Sequence, residues 1–281
     1  MIRRLLIIFA AGAVGLTAWG VPEWEDPAVN SINRLGARTW SVPLESVEQA
    51  LTNEVRVESK YVKSLNGVWK VAWCGNPALR VKDFWRVDFD DRDFYEIDVP
   101  SCLERRGFGS CGYTNVRYPF ANEAPRILDR VTKKGDYNPV GSYRKEFEIG
   151  EEWVGREVIL RFDGVGSAYY VWVNGERVGY AEDSKLPSEF DITKYVKVGK
   201  NLLAVEVYRW CDGSYLEDQD MMRYSGIYRD VTVWSRPKDG IWDFVVRTRL
   251  RDDYKDGEIW VEGCDFDVCE LYDAEDRKSV V

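Results

Sequence analysis

The sequence predicts an all-β protein, an antiparallel β-sandwich or jelly roll. Short runs of alternating apolar and polar residues recur from Leu65 onward, and turn residues separate them. Asn174-Gly175 lies between two such runs, and Asn-Gly is the strongest short hairpin signal because both turn positions need a positive φ. Aromatic residues make up 14% of the chain. They suit pleated, half-buried surfaces, although sugar-stacking surfaces share this composition.

Each strand is predicted from its own pattern. Val158, Leu160 and Phe162 lie on one face of a strand, with Arg161 and Asp163 on the other. The only helix expected is a short one near residues 46–51. The strands are expected at residues 68–73, 143–149, 158–162, 169–173, 176–180, 202–210 and 227–234.

A boundary is expected near residues 236–240, where Pro237 and Gly240 interrupt the strand pattern. After it, residues 241–250, 258–264 and 268–271 have the pattern of three strands. A complete immunoglobulin-like sandwich takes ~100 residues and ~7 strands. These strands are either a hairpin extension of the main domain or a second domain cut short. We favour the second interpretation, since domains seldom end on an unpaired edge.

The first twenty residues have the pattern of an export signal. Arg3 and Arg4 precede an apolar stretch at residues 5–16, and Ala18 and Gly20 supply small residues at the cleavage positions. The stretch is shorter than the ~20 apolar residues that cross a bilayer. We therefore expect a signal peptide over residues 1–20 and a protein exported to a periplasm or the outside. An uncleaved membrane anchor is the alternative.

Composition excludes several classes of chemistry. The chain has no His, which removes Ser-His-Asp triads and His-based zinc sites. The net charge is −9 and no basic stripe interleaves with aromatic residues, so nucleic acid is not an expected partner. Among the six Cys, Cys102 and Cys111 flank a Gly-rich loop and could pair, whereas Cys74 and Cys211 are expected to be buried thiols.

The longest polar loop follows the predicted strand 202–210. Its carboxylates are Asp212, Glu217, Asp218 and Asp220, within nine residues of one another. Oxygen-rich loops bind hard cations and hydroxyl groups. The spacing does not match the EF-hand order, and spacing alone favours a solvated loop over a binding site.

Asn115 is the second candidate. It lies in the aromatic-rich segment 113–120, after a Gly-rich loop. Its amide offers a donor and an acceptor to sugar hydroxyls, although an isolated Asn more often satisfies the backbone of a turn.

Several segments together are similar to a known family. In the same order along the chain, they resemble the β-galactosidases of glycoside hydrolase family 2 over about residues 30–250. Several motifs in colinear order are far more specific than any one of them. The segments are residues 64–69, 99–101, 113–116, 162–165, 172–175, 183–191 and, as the longest, 210–227.

The resemblance implies an architecture and two site residues. The family begins with a galactose-binding-like jelly-roll sandwich, continues with an immunoglobulin-like sandwich, and ends in a catalytic (β/α)₈ barrel. By motif match, Asn115 and Asp212 would contact galactose, and Asp212 would also help to hold a sodium ion. A cation there would neutralise a carboxylate in a closed pocket.

The domain boundaries follow from the same resemblance. After the signal peptide we expect an amino-terminal extension at residues 21–60, the jelly-roll domain at 61–237 and a truncated immunoglobulin-like domain at 238–281. The barrel, with both catalytic glutamates and the expected magnesium, is not expected in this chain, and Glu217 and Asp218 do not replace those glutamates.

Three hypotheses about function follow. In the first, the chain is the amino-terminal part of a retaining β-galactosidase that hydrolyses terminal β-D-galactosides. The chain alone is inactive, and a homo-oligomer is an option for the full-length enzyme. In the second, it is a stand-alone jelly-roll module that binds sugar without cleaving it. In the third, it complements a separate chain that carries the catalytic domain.

Overall fold

The computed structural model describes residues 20–52, 59–135, 137–217, 219–252 and 254–263. These residues form almost entirely β-structure, with one α-helix, α1 (Val47–Thr52), where the sequence predicts it, and several short 3₁₀ turns. The strands are β1 (Ser31–Ile32), β2 (Val62–Ser64), β3 (Gly67–Cys74), β4 (Tyr95–Val99), β5 (Gly112–Thr114), β6 (Val140–Ile149), β7 (Glu157–Phe162), β8 (Val165–Gly166), β9 (Ala168–Val173), β10 (Glu176–Ala181), β11 (Ser188–Asp191), β12 (Gly199–Tyr208), β13 (Met221–Arg223), β14 (Gly226–Ile227), β15 (Val231–Arg236), β16 (Val245–Leu250) and β17 (Gly257–Glu262).

Two antiparallel sheets form a sandwich. The larger sheet has seven strands in the order β1-β10-β9-β12-β6-β3-β4, and the smaller has four in the order β11-β7-β15-β2. Inward-facing side chains of both sheets form one core, including Val171 and Val205 from the larger sheet and Leu160 and Val233 from the smaller. The all-β sandwich predicted from the sequence is therefore confirmed. Its finer assignments, a jelly roll and an immunoglobulin-like continuation, stay predictions.

A second apolar layer covers the outer face of the larger sheet. Because side chains alternate along a strand, Tyr170 and Trp172 on β9 point away from the main core, as does Tyr208 on β12. Trp24 and Phe84, from two segments outside the sheet, pack over them. This layer explains why β9 and β12 are buried on both faces.

The Asn-Gly hairpin is confirmed. Asn174 and Gly175 connect β9 to β10 with φ of 52° and 90°. The Asn174 amide also reaches outside the turn, where it donates to the Tyr195 carbonyl and accepts from the Leu202 amide.

The strand expected over residues 227–234 is instead two strands, β14 and β15, and the prediction of one strand was wrong. Tyr228 and Arg229 break it because both amides donate to the Gly164 carbonyl rather than to a neighbouring strand. The Arg229 side chain also donates to the Lys185 carbonyl at 2.8 Å. The break brings this segment beside the loop that follows β10.

β16 and β17 form a hairpin of their own at residues 245–262, and most of its side chains are exposed. The third strand predicted there, at residues 268–271, lies outside the described residues. The signal peptide predicted over residues 1–20 does too, except for Gly20. No helix in the described ranges is long and apolar enough to cross a membrane.

The described cysteines are free thiols. Cys102 and Cys111, which the sequence allowed to pair, form no disulfide. Cys211 is buried as predicted, whereas Cys74 is only half-buried.

Candidate functional site

The Asp212 loop begins as a tight turn at the end of β12. Residues Asp212–Tyr215 form a 3₁₀ turn, which Ser214 closes because its hydroxyl accepts from the Cys211 amide at 3.0 Å and its amide donates to the Cys211 carbonyl at 2.9 Å. Asp212 is half-buried. Its carboxyl is thus presented from the end of a rigid central strand.

The segment after Asn115 packs against this turn. The Tyr215 hydroxyl, which has one hydrogen to donate, lies 2.8 Å from the carbonyl oxygens of both Ala121 and Arg126. The Tyr118 hydroxyl donates to the Tyr215 carbonyl at 3.2 Å. The rings of Tyr118 and Phe120 lie 4.9 and 4.8 Å from that of Tyr215. Aromatic packing therefore fixes one loop on the other.

A short pair of strands joins the two loops at their other ends. β5 pairs with β13, with Thr114 opposite Met221. Arg223, which is buried, donates to the Thr114 hydroxyl at 3.1 Å and to the Gln219 carbonyl at 2.8 Å. Asn115 follows Thr114 directly and is exposed. The structure thus places the two predicted site residues on adjacent, tied loops.

Asp212 lies against a second carboxyl group, that of Glu182 at the end of β10. One ligand atom from each of Glu182, Asp212 and Cys211 lies within 4.8 Å of the others. The Tyr180 hydroxyl donates to the Glu182 carboxyl. Burial, with a smaller contribution from the nearby Asp212 charge, raises the pKa of Glu182 to about 8. Burial also raises the pKa of Asp212, opposed by hydrogen bonds from Glu182 and the Gly213 amide.

This pair has the ligand chemistry of a hard cation. Two carboxyl groups in contact cannot both ionise cheaply, and a bound cation would remove that cost. Carboxylate oxygens suit sodium or another hard cation. Burial raises the pKa of the Cys211 thiol, which keeps it protonated and a poor ligand. The oxygens of Asp212 and Glu182 therefore fit the sodium ion that the resemblance implies.

The remaining acidic residues of the loop have structural contacts. Glu217 accepts from the Ser184 amide at 2.8 Å and from its hydroxyl at 2.6 Å. Asp220 accepts from the Tyr113 hydroxyl. Glu217 and Asp220 thus hold the loop to its neighbours, while Asp218 lies outside the described residues.

Glu182 is the residue that sequence reasoning missed. It immediately precedes the motif at residues 183–191, but a single Glu at the end of a strand carries no signal of its own. Its contact with Asp212 depends on β10 and β12 both ending beside the same turn, which the sequence does not show.

A cavity of about 180 Å³ lies beside the turn. Ser167, Ser214 and Glu217 are among its lining residues, and Asn115 and Asp212 are not. This cavity is therefore not where the two predicted site residues meet.

Comparisons with known proteins agree on one family. Residues 62–237 match the family described as "Glycosyl hydrolases family 2, sugar binding domain". A β-galactosidase of Priestia megaterium is 46% identical over 244 residues, which cover 86% of this chain and 23% of that protein. A β-galactosidase of Clostridium acetobutylicum is 38% identical over 243 residues, covering 85% of this chain and 26% of that protein. The chain thus spans about a quarter of the length of these relatives.

A solved structure shows the same fold. A β-glucuronidase from an uncultured Clostridium sp. superposes with a TM-score of 0.53 over 80% of this chain and 38% of that one. The two are 20% identical in sequence, a level at which the likeness concerns the fold alone.

Proposed function

The chain belongs to glycosyl hydrolase family 2 through its sugar-binding domain, and from that premise we propose that it is the amino-terminal sugar-binding part of a β-galactosidase. The relatives at 46% and 38% identity carry that name and support galactosides as the substrate class. The parent reaction is hydrolysis of terminal β-D-galactosides with retention. The proposal includes export to a periplasm or the outside, on the pattern of residues 1–20, and a homo-oligomer as one arrangement of the full-length enzyme.

In this proposal, Asn115 and Asp212 form one wall of the galactose pocket. The Asn115 amide exchanges hydrogen bonds with sugar hydroxyls, and the Asp212 carboxylate accepts one. Asp212 and Glu182 hold a sodium ion, which supplies positive charge between the two carboxylates.

The bond-breaking step belongs to another domain. A retaining glycosidase uses two carboxyl groups ~5–5.5 Å apart, one as nucleophile and one as acid and base. The proposal assigns both, and the magnesium ion, to the (β/α)₈ barrel that the family resemblance implies. Asp212 binds substrate and does not attack it.

The observation that carries the proposal is the Asp212 turn. It combines a half-buried carboxylate, a second carboxyl in contact with it, and an exposed Asn on the adjoining loop. Hydrogen bonds of Arg223, Tyr215 and Glu217 fix the loop in place. A loop that is only solvated would not require them.

Calorimetric titration of the chain with galactose and lactose tests whether Asn115 and Asp212 bind sugar. Weak or absent binding by the chain alone is expected, because a single wall leaves most of the sugar in water. Saturable binding that Asn115→Ala or Asp212→Ala abolishes, but the exposed control Asp93→Asn does not, would favour the stand-alone binding module instead.

A hydrolysis assay tests whether the catalytic step belongs to another domain. The chain alone is expected to turn over no chromogenic galactoside. Mixed with a separately produced carboxy-terminal part of a β-galactosidase relative, it is expected to raise hydrolysis above that part alone, and Asp212→Ala to reduce the gain. Turnover by the chain alone, abolished by Asp212→Ala, would overturn the proposal.

A further inference from the structure

A second pocket lies on the outer face of the seven-stranded sheet, and neither Asn115 nor Asp212 lines it. Tyr170, Trp172, Glu206 and Tyr208 reach it from β9 and β12, on the face opposite the main core. Its volume is about 260 Å³. Small-molecule pockets begin at ~300 Å³, so the space suits a single ring-sized group.

The pocket contains a buried acceptor without a partner. Glu206 is 4% exposed. Its Oε1 accepts from the Tyr208 hydroxyl at 2.8 Å and lies 3.5 Å from Arg80 Nε, whereas its Oε2 is buried without a hydrogen bond. Leaving such an atom unsatisfied costs ~1–3 kcal/mol. A ligand that donates a hydrogen bond would remove this cost.

Aromatic rings line the same pocket as this acceptor. Trp85 stacks on Trp172 at 5.0 Å with an angle of 9°, and Trp24 stacks on Tyr208 at 5.2 Å with an angle of 21°. Trp85 is half-buried, so part of its indole stays accessible. Apolar ring faces beside a hydrogen-bond acceptor suit a pyranose, which has an apolar C–H face and hydroxyl groups at its edge.

The charged side chains that line the pocket disfavour a cation. Arg80, Lys82 and Arg177 line the pocket against two carboxylates, Glu23 and Glu206. The formal balance is one positive charge, which disfavours an ammonium group despite the aromatic walls. The Glu206 carboxylate, whose Oε2 has no hydrogen bond, would repel an anion, so a neutral donor of hydrogen bonds fits best.

We propose that this pocket is a second carbohydrate-binding site, which takes one pyranose unit of a neutral saccharide. Glu206 accepts a hydrogen bond from a sugar hydroxyl, and Trp85 packs on the ring. The site is independent of the galactose wall and does not require that wall to bind.

Fluorine NMR of the chain labelled with fluorotryptophan tests the site directly. The labelled chain also carries Asn115→Ala and Asp212→Ala, so that the proposed galactose wall cannot bind the sugar. The Trp85 resonance is assigned by its loss in Trp85→Phe. The probes are methyl β-D-galactopyranoside, methyl β-D-glucopyranoside and lactose, and tetramethylammonium is the cation control. A saturable shift of the Trp85 resonance is expected with at least one of them.

Variants locate the binding. Trp85→Ala and Glu206→Leu are each expected to weaken it about tenfold, and Trp260→Ala, an exposed Trp on β17, to leave it unchanged. Circular dichroism checks that each variant folds. If a variant does not fold, the titration of the Asn115→Ala, Asp212→Ala chain alone decides whether the pocket binds sugar. No saturable shift with any sugar, a response to tetramethylammonium alone, or full binding by folded Trp85→Ala would each overturn the proposal.

Discussion

Two acidic side chains of the Asp212 loop have different partners. Glu217 lies in the acidic loop, yet both of its oxygens bond to Ser184, on the loop after β10. Its neighbour Asp212 instead contacts another carboxyl, Glu182. Two acidic residues five positions apart therefore differ in their contacts: Glu217 fixes the loop, whereas Asp212 lies against a second carboxyl group.

Glu217→Ala is expected to release that loop. It removes two charge-assisted hydrogen bonds from Ser184, which is 6% exposed, and such bonds are worth ~1.5–3 kcal/mol each. Hydrogen exchange of the Ser184 amide is expected to accelerate by about tenfold or more. Glu123→Ala, on the exposed loop nearby, serves as control. An unchanged exchange rate at Ser184 would contradict the assignment.

The Asp91 carboxylate is expected to make stability depend on pH, and Asp91→Asn to remove that dependence. Burial raises the pKa of Asp91, but hydrogen bonds from Lys70 and Arg144 outweigh it and hold the pKa below the usual 3.8. The charged form thus stabilises the fold above pH 3.8, and the effect is lost as pH falls through the lowered pKa.

The Asp91→Asn variant is therefore expected to lose about 2 kcal/mol at neutral pH, because Arg144 is buried and bonds to Asp91 at 2.7 Å. Urea denaturation at neutral pH and near pH 3 measures the difference, which is expected to shrink at the lower pH. Asp90→Asn, in an exposed pair with Arg92, is the control. An equal loss at both values of pH would exclude the ionic explanation.

At the scale of elements, the β9–β10 hairpin shows a turn with two functions. Its Asn-Gly sequence satisfies the positive φ that the turn demands, which sequence patterns predict. The Asn174 amide also connects the turn to Tyr195, Asn201 and Leu202. Those partners are 21 to 28 residues away along the chain, so turn statistics carry no sign of them.

Asn174→Gly separates the two functions. Glycine adopts the required φ freely but makes none of the three hydrogen bonds, so a loss of about 2 kcal/mol in the free energy of unfolding is expected. Lys133→Gly, at an exposed residue with φ of 58°, is expected to be neutral or slightly stabilising. Equal effects of the two substitutions in chemical denaturation would show that only the backbone matters at Asn174.

At the scale of the whole molecule, one arginine connects distant parts of the chain. The Arg38 side chain is 1% exposed and forms a two-pronged ion pair with Glu189 on β11. Its guanidinium also lies 4.3 Å from the ring of Trp234 on β15 and 4.9 Å from that of Trp242. The amino-terminal segment is thereby joined to the smaller sheet and to the start of the segment leading to β16.

Arg38→Lys is expected to weaken this junction although the charge is kept, because an ammonium neither pairs at two points nor stacks on indole rings. Because lysine keeps the charge, the expected loss is smaller than the ~3–5 kcal/mol of removing one partner of a buried ion pair. Faster proteolysis near residue 40 is expected with it. Arg86→Lys, in an exposed pair with Asp88, is the control. Unchanged thermal stability in Arg38→Lys would refute the role.

The sequence by itself determined the all-β class, the position of the Asn-Gly hairpin and most strands, because each depends on neighbours within a few residues. It also determined the family, since several motifs occur in one order. Only the tertiary structure decided that Glu182 meets Asp212, that Glu217 is a structural residue, that residues 228–230 break a predicted strand, and that Glu206 faces an aromatic pocket. These depend on which strand ends and faces come together, over separations that local periodicity does not encode.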